Sequence, residues 1–235
     1  MTVAALLGLA ATVSLGRWQL SRAAQKEALQ AAIDAQNRLP AIDLSRALPG
    51  APELVALEHR QAVARGRWLP RYTVFLDNRQ MHGQPGFDVL TPLQLPGGGA
   101  VLLVQRGWVP RNFVDRTALP TIDSPAGEVE VRGRMAPPPG KLYEFGGGQG
   151  GAIRQNLDMA AFAAETGLPL LPVSLLQTGA DETGGPLQRD WPAANLGVEK
   201  HYGYAFQWFG LATLIVFLYV WFQIVRRYFL PRRRQ

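Results

Sequence analysis

The chain has 235 residues, of which 47% are hydrophobic, and a formal net charge of +6, so its length allows one ordinary domain together with membrane segments. It contains no cysteine, which excludes disulfides, thiolate metal sites and a cysteine nucleophile. Much of the basic excess lies near the C-terminus without a nucleic-acid motif, so we interpret the charge as membrane topology and lipid contact and predict no nucleic-acid partner.

The first predicted element is a transmembrane helix over residues 1–20. Its apolar part, Val3–Leu15, is short for a membrane span, but Arg17 can snorkel and Trp18 suits an interface. A cleaved signal peptide is the competing interpretation. The uncharged start and the weak cleavage site favour an uncleaved anchor.

Residues 21–50 are predicted to form a helical extension and a connector. Good helix formers dominate up to Arg38, with Leu29 and Ile33 on one face, so the helix should continue out of the membrane and break before Pro40. The segment that follows is punctuated by prolines, which is typical of a connector.

Residues 51–200 are predicted to form a periplasmic β-rich domain. Many short strands separated by turn signals indicate a mainly antiparallel sheet, barrel- or sandwich-like, with short helices. The predicted strands are Gln61–Trp68, Thr73–Asp77, Gly86–Thr91, Ala100–Gln105, Glu128–Gly133 and a last one that begins at or after Pro172 and ends at Leu176. The continuous apolar run Val101–Val104 should lie in a buried central strand.

Short helices and loops are predicted between these strands. The helices are Asn112–Ala118 and Asp158–Thr166, with Asp158 as the N-cap and Gly167 as the stop. Asn78–Gly83 reads as a polar loop. The glycine-rich Gly146–Gly151 lacks the following Lys and Ser or Thr of a phosphate loop, so we predict a flexible hairpin tip.

The longest apolar run, Tyr204–Val225, predicts a second transmembrane helix over residues 201–225, followed by a basic tail over 226–235. At 1.5 Å per residue the run covers roughly 33 Å, enough to cross a bilayer core. Because short basic flanks stay cytoplasmic, both termini should be cytoplasmic and the long intervening segment outside. His201 then lies at the outer mouth of the helix.

One face of this second helix suits a flat ligand. Tyr204, Ala205 and Trp208 follow His201 at helical spacing, so a small residue lies between two aromatic ones. Such a face could receive a planar macrocycle. The alternative is an interfacial aromatic belt with a solvated histidine.

The sequence offers no positive support for catalysis, and we predict that the protein is not an enzyme. Its three histidines, His59, His82 and His201, are not placed as a metal-binding pair, and no nucleophile elbow is present. Trp68 and Trp108 each have a large apolar area to bury, so we expect both to be at least partly structural.

Several stretches together resemble the Surfeit-locus family of cytochrome c oxidase assembly proteins, of the bacterial type. The resemblance covers nearly the whole chain, and its first and last motifs, each attached to a predicted span, are the specific ones. The matching stretches are Leu15–Arg22 with Lys26, Gly66–Trp68, Gly86–Pro92, Val104–Pro110 and Lys200–Phe209.

The resemblance implies a two-pass protein of the bacterial inner membrane that assists assembly of haem-copper cytochrome c oxidase. It implies binding of haem a and help with its insertion into subunit I, so the implied partners are subunit I, membrane lipid and, as a further candidate, haem A synthase. The family's proposed haem-ligating histidine matches His201. Imidazole is a common axial ligand of haem iron, which agrees with this reading.

Further cofactor-binding residues are predicted around that ligand. Arg17 and Lys200 leave and enter the membrane at the same interface, so both cations could face the haem propionates. Trp18 and Trp208 could cover the ring, with Tyr204 beside them. Ordinary interfacial snorkelling and an aromatic belt remain the alternative for these residues.

A different class of function also fits the resemblance. The protein could be a membrane-anchored scaffold that holds oxidase subunits and partners without a cofactor. Trp68, Trp108 and the β domain would then be its working surface.

Overall fold

The computed structural model describes residues 2–46, 48–97, 99–115, 118–142, 151–179, 185–191 and 197–229, the last three by their backbone only. The chain divides into two compact units. The helical unit comprises Met1–Ala32 and Ala194–Gln235, and the β unit comprises Ile33–Ala193.

The helices are α1 (Thr2–Arg38), α2 (Ala51–Ala56), α3 (Met159–Thr166) and α4 (Val198–Val220), which continues as a π-helix over Trp221–Phe229. The strands are β1 (Ile42–Asp43), β2 (Gln61–Trp68), β3 (Val74–Met81), β4 (Gln84–Gln94), β5 (Val101–Pro110), β6 (Glu128–Ala136), β7 (Ile153–Arg154) and β8 (Leu170–Gln177). A short 3₁₀ turn, Pro70–Tyr72, precedes β3.

Two helices are long and apolar enough to cross a membrane, Thr2–Arg38 and Val198–Arg226. The helical unit contains the first of them up to Ala32 and the whole of the second. α1 ends at Arg38, before Pro40, as its composition predicts. The structure is therefore compatible with a two-pass membrane protein, with most of the remaining chain in a separate sheet domain.

Five strands of the β unit close into a small barrel. They pair in the order β2, β6, β8, β5 and β4, and β4 pairs back onto β2 through Trp68 opposite Leu93 and Arg67 opposite Gln94. Closure removes the unpaired edges that an open sheet would expose. Most pairs are antiparallel, but β1–β2, β3–β7 and β5–β8 run parallel, so the sheet is mixed.

The central strand β5 is buried on both faces. Leu102 and Val104 belong to the cluster that contains Trp68, while Leu103 packs in a second cluster with Phe162 of α3. Residues 101–104 are at most 2% exposed, which confirms the predicted buried strand. Since neighbours cover both faces, the strand carries an unbroken apolar run and not an alternating one.

Two glycines allow backbones to approach closely around the large aromatic side chains. A Cβ on Gly66 would lie 2.2 Å from the carbonyl oxygen of Gln94, where β2 meets β4. A Cβ on Gly86 would lie 2.4 Å from the Trp108 ring, whose Nε1 donates to the carbonyl of Arg79 at 3.1 Å. These positions need glycine because any side chain would push paired strands apart.

Both barrel-associated tryptophans are core residues. Trp68 is 8% exposed and Trp108 is 2% exposed, which confirms that they are structural. The prediction that they would form the working surface of a scaffold is wrong, because a buried ring offers no area to a partner.

The last strand begins earlier than predicted. β8 starts at Leu170 and so includes Pro172, the earliest residue at which the sequence pattern predicts the strand to begin. The pairing shifts register there, since Val101 lies opposite Leu170 but Leu103 lies opposite Ser174. Proline is tolerated at such an irregularity because the ladder requires no amide hydrogen from it.

Of the two helices predicted between strands, α3 forms, whereas the described part of the other one does not. Asp158 caps it by accepting from the amides of Ala160 and Ala161, each at 3.1 Å, and Gly167 ends it in the left-handed conformation. Residues 112–115 are not helical. There the Asn112 side chain accepts from the amides of Val114 and Asp115, at 2.9 and 3.2 Å, and forms an Asx turn.

The loop predicted over Asn78–Gly83 is shorter in the structure. β3 continues to Met81 and β4 begins at Gln84, so only His82 and Gly83 form the turn. Both have positive φ, 50° and 76°, as a tight two-residue hairpin requires. The predicted hairpin tip at Gly146–Gly151 lies, apart from Gly151, outside the described residues.

Candidate functional site

Small residues bring the two long helices of the helical unit together. Gly8, Thr12 and Gly16 follow one another at steps of four along α1. A Cβ on Gly16 would lie 2.8 Å from Cζ of Phe209, so α4 packs directly onto the α1 backbone there. This spacing of small residues is a common device for helix pairs in membranes, because it permits close van der Waals packing.

His201 lies on the face of α4 that packs against α1. Its helical neighbour Ala205, four residues on, is 3% exposed, and His201 itself is partly buried. The His201 Nδ1 atom lies 2.7 Å from Oε1 of Gln19 on α1. An amide oxygen can only accept a hydrogen bond, so this contact is a hydrogen bond when Nδ1 carries the ring hydrogen.

Gln19 is a residue of the site that is not among the residues predicted from the sequence. It stands within the motif Leu15–Arg22, and it follows Gly16 by three residues, which places both on one helix face. That spacing is the signal in the sequence that could have identified Gln19 as a residue facing α4. The contact itself joins residues 182 positions apart, so the spacing does not identify His201 as its partner.

A second polar contact joins the same two helices beside His201. The hydroxyl of Tyr202 donates to Oε1 of Glu27 at 2.8 Å. Directional bonds at two neighbouring positions restrict both sliding and rotation of one helix against the other. The register of α1 against α4 near His201 is therefore supported by more than one contact.

The other predicted residues of α4 lie beside His201. Trp208 is two turns along the helix, about 20° around from His201, and is partly buried, whereas Tyr204 is 51% exposed. Lys200 is exposed at the start of the helix. The aromatic face expected from the spacing is thus present, and its Tyr204 part is exposed.

The predicted residues of α1 lie on other faces of their helix. At about 100° per residue, Arg17 is roughly 160° around α1 from Gln19, and Trp18 is roughly 100° around from it. Trp18 is 51% exposed, with the guanidinium of Arg22 5.7 Å from its ring centre. The structure does not place Arg17 or Trp18 on the face that meets His201, and their roles toward a ligand stay predictions.

The ionisable pair Asp88 and Arg79 in the β unit has a structural role. Burial raises the pKa of Asp88 to about 6, against the opposing effect of Arg79, whose Nε lies 3.7 Å from the carboxylate. Arg79 also donates to the carbonyls of Gly140 and Gln155, so it ties surrounding segments to β3. Among the described residues, no group of three or more His, Asp or Glu side chains is placed to hold a metal ion.

Comparison with known proteins finds the same family along most of the chain. A sequence model of the SURF1 family matches residues 6–213, which include both Gln19 and His201. A SURF1-like protein of Rickettsia conorii is 26% identical, and the match covers 92% of this chain and 87% of that protein. One of Drosophila melanogaster is 29% identical, covering 93% and 75%. The cytochrome oxidase assembly protein SHY1 of Saccharomyces cerevisiae is 28% identical over 40% of this chain and 24% of its own length.

Proposed function

This chain belongs to the SURF1 family, and from that premise we propose that it is a membrane-anchored assembly factor for haem-copper cytochrome c oxidase. It binds haem a as cargo and assists its insertion into subunit I, without catalysing a reaction. The name of the yeast relative supports the role in oxidase assembly.

The observation that supports haem binding most directly is the setting of His201. A partly buried imidazole lies near the start of a long apolar helix, with Trp208 and Tyr204 on adjoining parts of the same face. An imidazole is a good ligand for haem iron, and aromatic side chains suit the faces of a macrocycle. The residues present therefore fit the group.

The residues of the chain would divide the tasks of holding haem a. Bound haem would supply the iron, and His201 would ligate it. Trp208 and Tyr204 would contact the ring, and Lys200 would meet a propionate at the wet end of the helix. This keeps the apolar ring out of water and the carboxylates out of lipid, where a lone charge is expensive.

The sidedness that this function requires is also a proposal. Both termini are cytoplasmic in the bacterial inner membrane, and the β unit is periplasmic, because arginines follow the second span. Reporter fusions after Gln235 should report a cytoplasmic location, and fusions at Gly140 a periplasmic one. The reverse pattern would put His201 on the wrong side and remove the haem proposal.

The scaffold function remains the second candidate, and one observation favours it. Phe113 and Val114 are 74% and 97% exposed on a loop of the β unit, as apolar residues of a partner-binding surface would be. A visible spectrum of the protein purified from cells that make haem a separates the two functions. We expect bound haem a; a colourless protein that still supports oxidase assembly would establish the scaffold.

A further inference from the structure

The contact between Gln19 and His201 assigns a role to a residue outside the predicted site. We propose that Gln19 is a positioning residue, which holds the His201 ring in the tautomer that can bind iron. The inference rests on the proposed function, because it assumes that His201 is the axial ligand. It concerns residues of this chain alone and can be tested without haem.

The two ring nitrogens of His201 have different roles in a neutral imidazole. A neutral imidazole carries one hydrogen, so one nitrogen donates and the other keeps a lone pair. Gln19 Oε1 lies 2.7 Å from Nδ1. This contact is a hydrogen bond only in the tautomer that carries the hydrogen on Nδ1 and leaves the lone pair on Nε2. Nε2 is then free to bind a metal. If the amide nitrogen of Gln19 faced Nδ1 instead, the hydrogen would be on Nε2 and the ring could not ligate iron.

The surroundings hold Gln19 in place for this task. Gly16, three residues before it on α1, packs against Phe209 of α4. On the other side of the contact, Tyr202 bonds to Glu27 at 2.8 Å. Both Gln19 and His201 are partly buried, so each would lose a hydrogen bond that water replaces poorly if the pair separated.

The same bond is expected to tune the ligand. A histidine that ligates a metal usually donates its second N–H to an oxygen, which fixes the ring orientation and makes the ligating nitrogen more basic. Loss of such a partner typically lowers metal affinity by about 10- to 100-fold. An acceptor stronger than an amide, such as a carboxylate, should make Nε2 more basic still and lower the reduction potential of the bound haem.

The first test measures the tautomer in the haem-free protein. The chain has three histidines, so ¹⁵N-histidine NMR of the full chain in detergent is simple, and His201→Ala assigns the resonance. We expect Nδ1 protonated and Nε2 bare in the wild type and in Gln19→Glu, and a shift toward the Nε2–H form in Gln19→Leu. Gln207→Leu, which makes the same change at an exposed amide of α4, should behave as the wild type.

The second test adds haem a to the same proteins. Gln19→Leu should bind it about 10- to 100-fold more weakly, whereas Gln19→Glu should retain binding and show a lower midpoint potential. Two controls show whether weaker haem binding reflects the loss of the Gln19 contact or the loss of the helix pair. Circular dichroism reports the helix content, and a crosslink between α1 and α4 reports whether the packing of Gly16 on Phe209 is retained.

Failure of the inference and failure of the proposed function give different results. A wild-type His201 in the Nε2–H form, or Gln19→Leu binding haem a as the wild type does, overturns the role of Gln19 alone. Unchanged haem a occupancy in His201→Ala instead overturns the ligand assignment on which the inference rests.

Discussion

Replacing His201 with alanine is expected to reduce the haem a content of the purified protein from near-stoichiometric to background. The substitution removes the only iron ligand that we assign, while the β unit contains none of the atoms involved. His201→Met should retain part of the haem with a higher midpoint potential, because a thioether is a weaker axial ligand that stabilises ferrous iron. The measurement is the haem a-to-protein ratio and visible spectrum after purification from cells that make haem a.

The matched control is His82→Ala in the exposed hairpin between β3 and β4. The His82 side chain is 65% exposed and lies 3.3 Å from Asp190, so its loss should leave haem content unchanged. Membrane insertion and the circular dichroism of all variants should match the wild type. Equal haem occupancy and spectrum in wild type and His201→Ala would remove this histidine as the ligand.

Replacing Gly66 with alanine is expected to destabilise the β unit by about 3 kcal/mol, near the upper end of ordinary overpacking. The added Cβ would meet the Gln94 carbonyl oxygen at 2.2 Å, and no side-chain rotation can relieve a clash with backbone. β2 and β4 must therefore separate where their pairing closes the barrel. The midpoint of thermal unfolding, followed by near-ultraviolet circular dichroism, should fall by roughly 6–12 °C for a domain of this size.

Gly140→Ala is the matched control for this prediction. A Cβ at Gly140 meets no atom within 4 Å, so the same chemical change should leave the unfolding midpoint nearly unchanged. If Gly66→Ala unfolded with the wild-type midpoint, the close approach of β2 and β4 would not be a constraint on the barrel. Haem content is not expected to follow stability in these two variants, since both substitutions lie in the β unit and the proposed haem-binding residues lie in the helical unit.

Features governed by near neighbours in the chain were predictable from the sequence. The apolar lengths predict both long helices, and the capping pattern of Asp158 and Gly167 predicts α3. The unbroken run Val101–Val104 predicts a strand covered on both faces. Helical spacing alone also places Trp208 on the same side of α4 as His201.

Local rules failed where a distant partner decides the outcome. Pro172 reads as a strand boundary, yet the register shift against β5 accommodates it inside β8. The parallel pairing of β5 with β8 likewise joins strands that are far apart in the chain. Hydrophobic spacing within each strand does not specify which residues of the two strands lie opposite each other.

The sequence by itself determined the two apolar helices, the β-rich domain between them and His201 as the candidate ligand, because periodicity, caps and motifs are properties of short stretches. Only the tertiary structure decided that Gly66 must lack a side chain, since the atom it would strike belongs to Gln94 on another strand. Only the tertiary structure decided that Gln19 faces His201 across 182 residues of chain. Such contacts arise when packed faces bring distant segments together, and a helical repeat specifies which face a residue occupies but not which residue lies opposite.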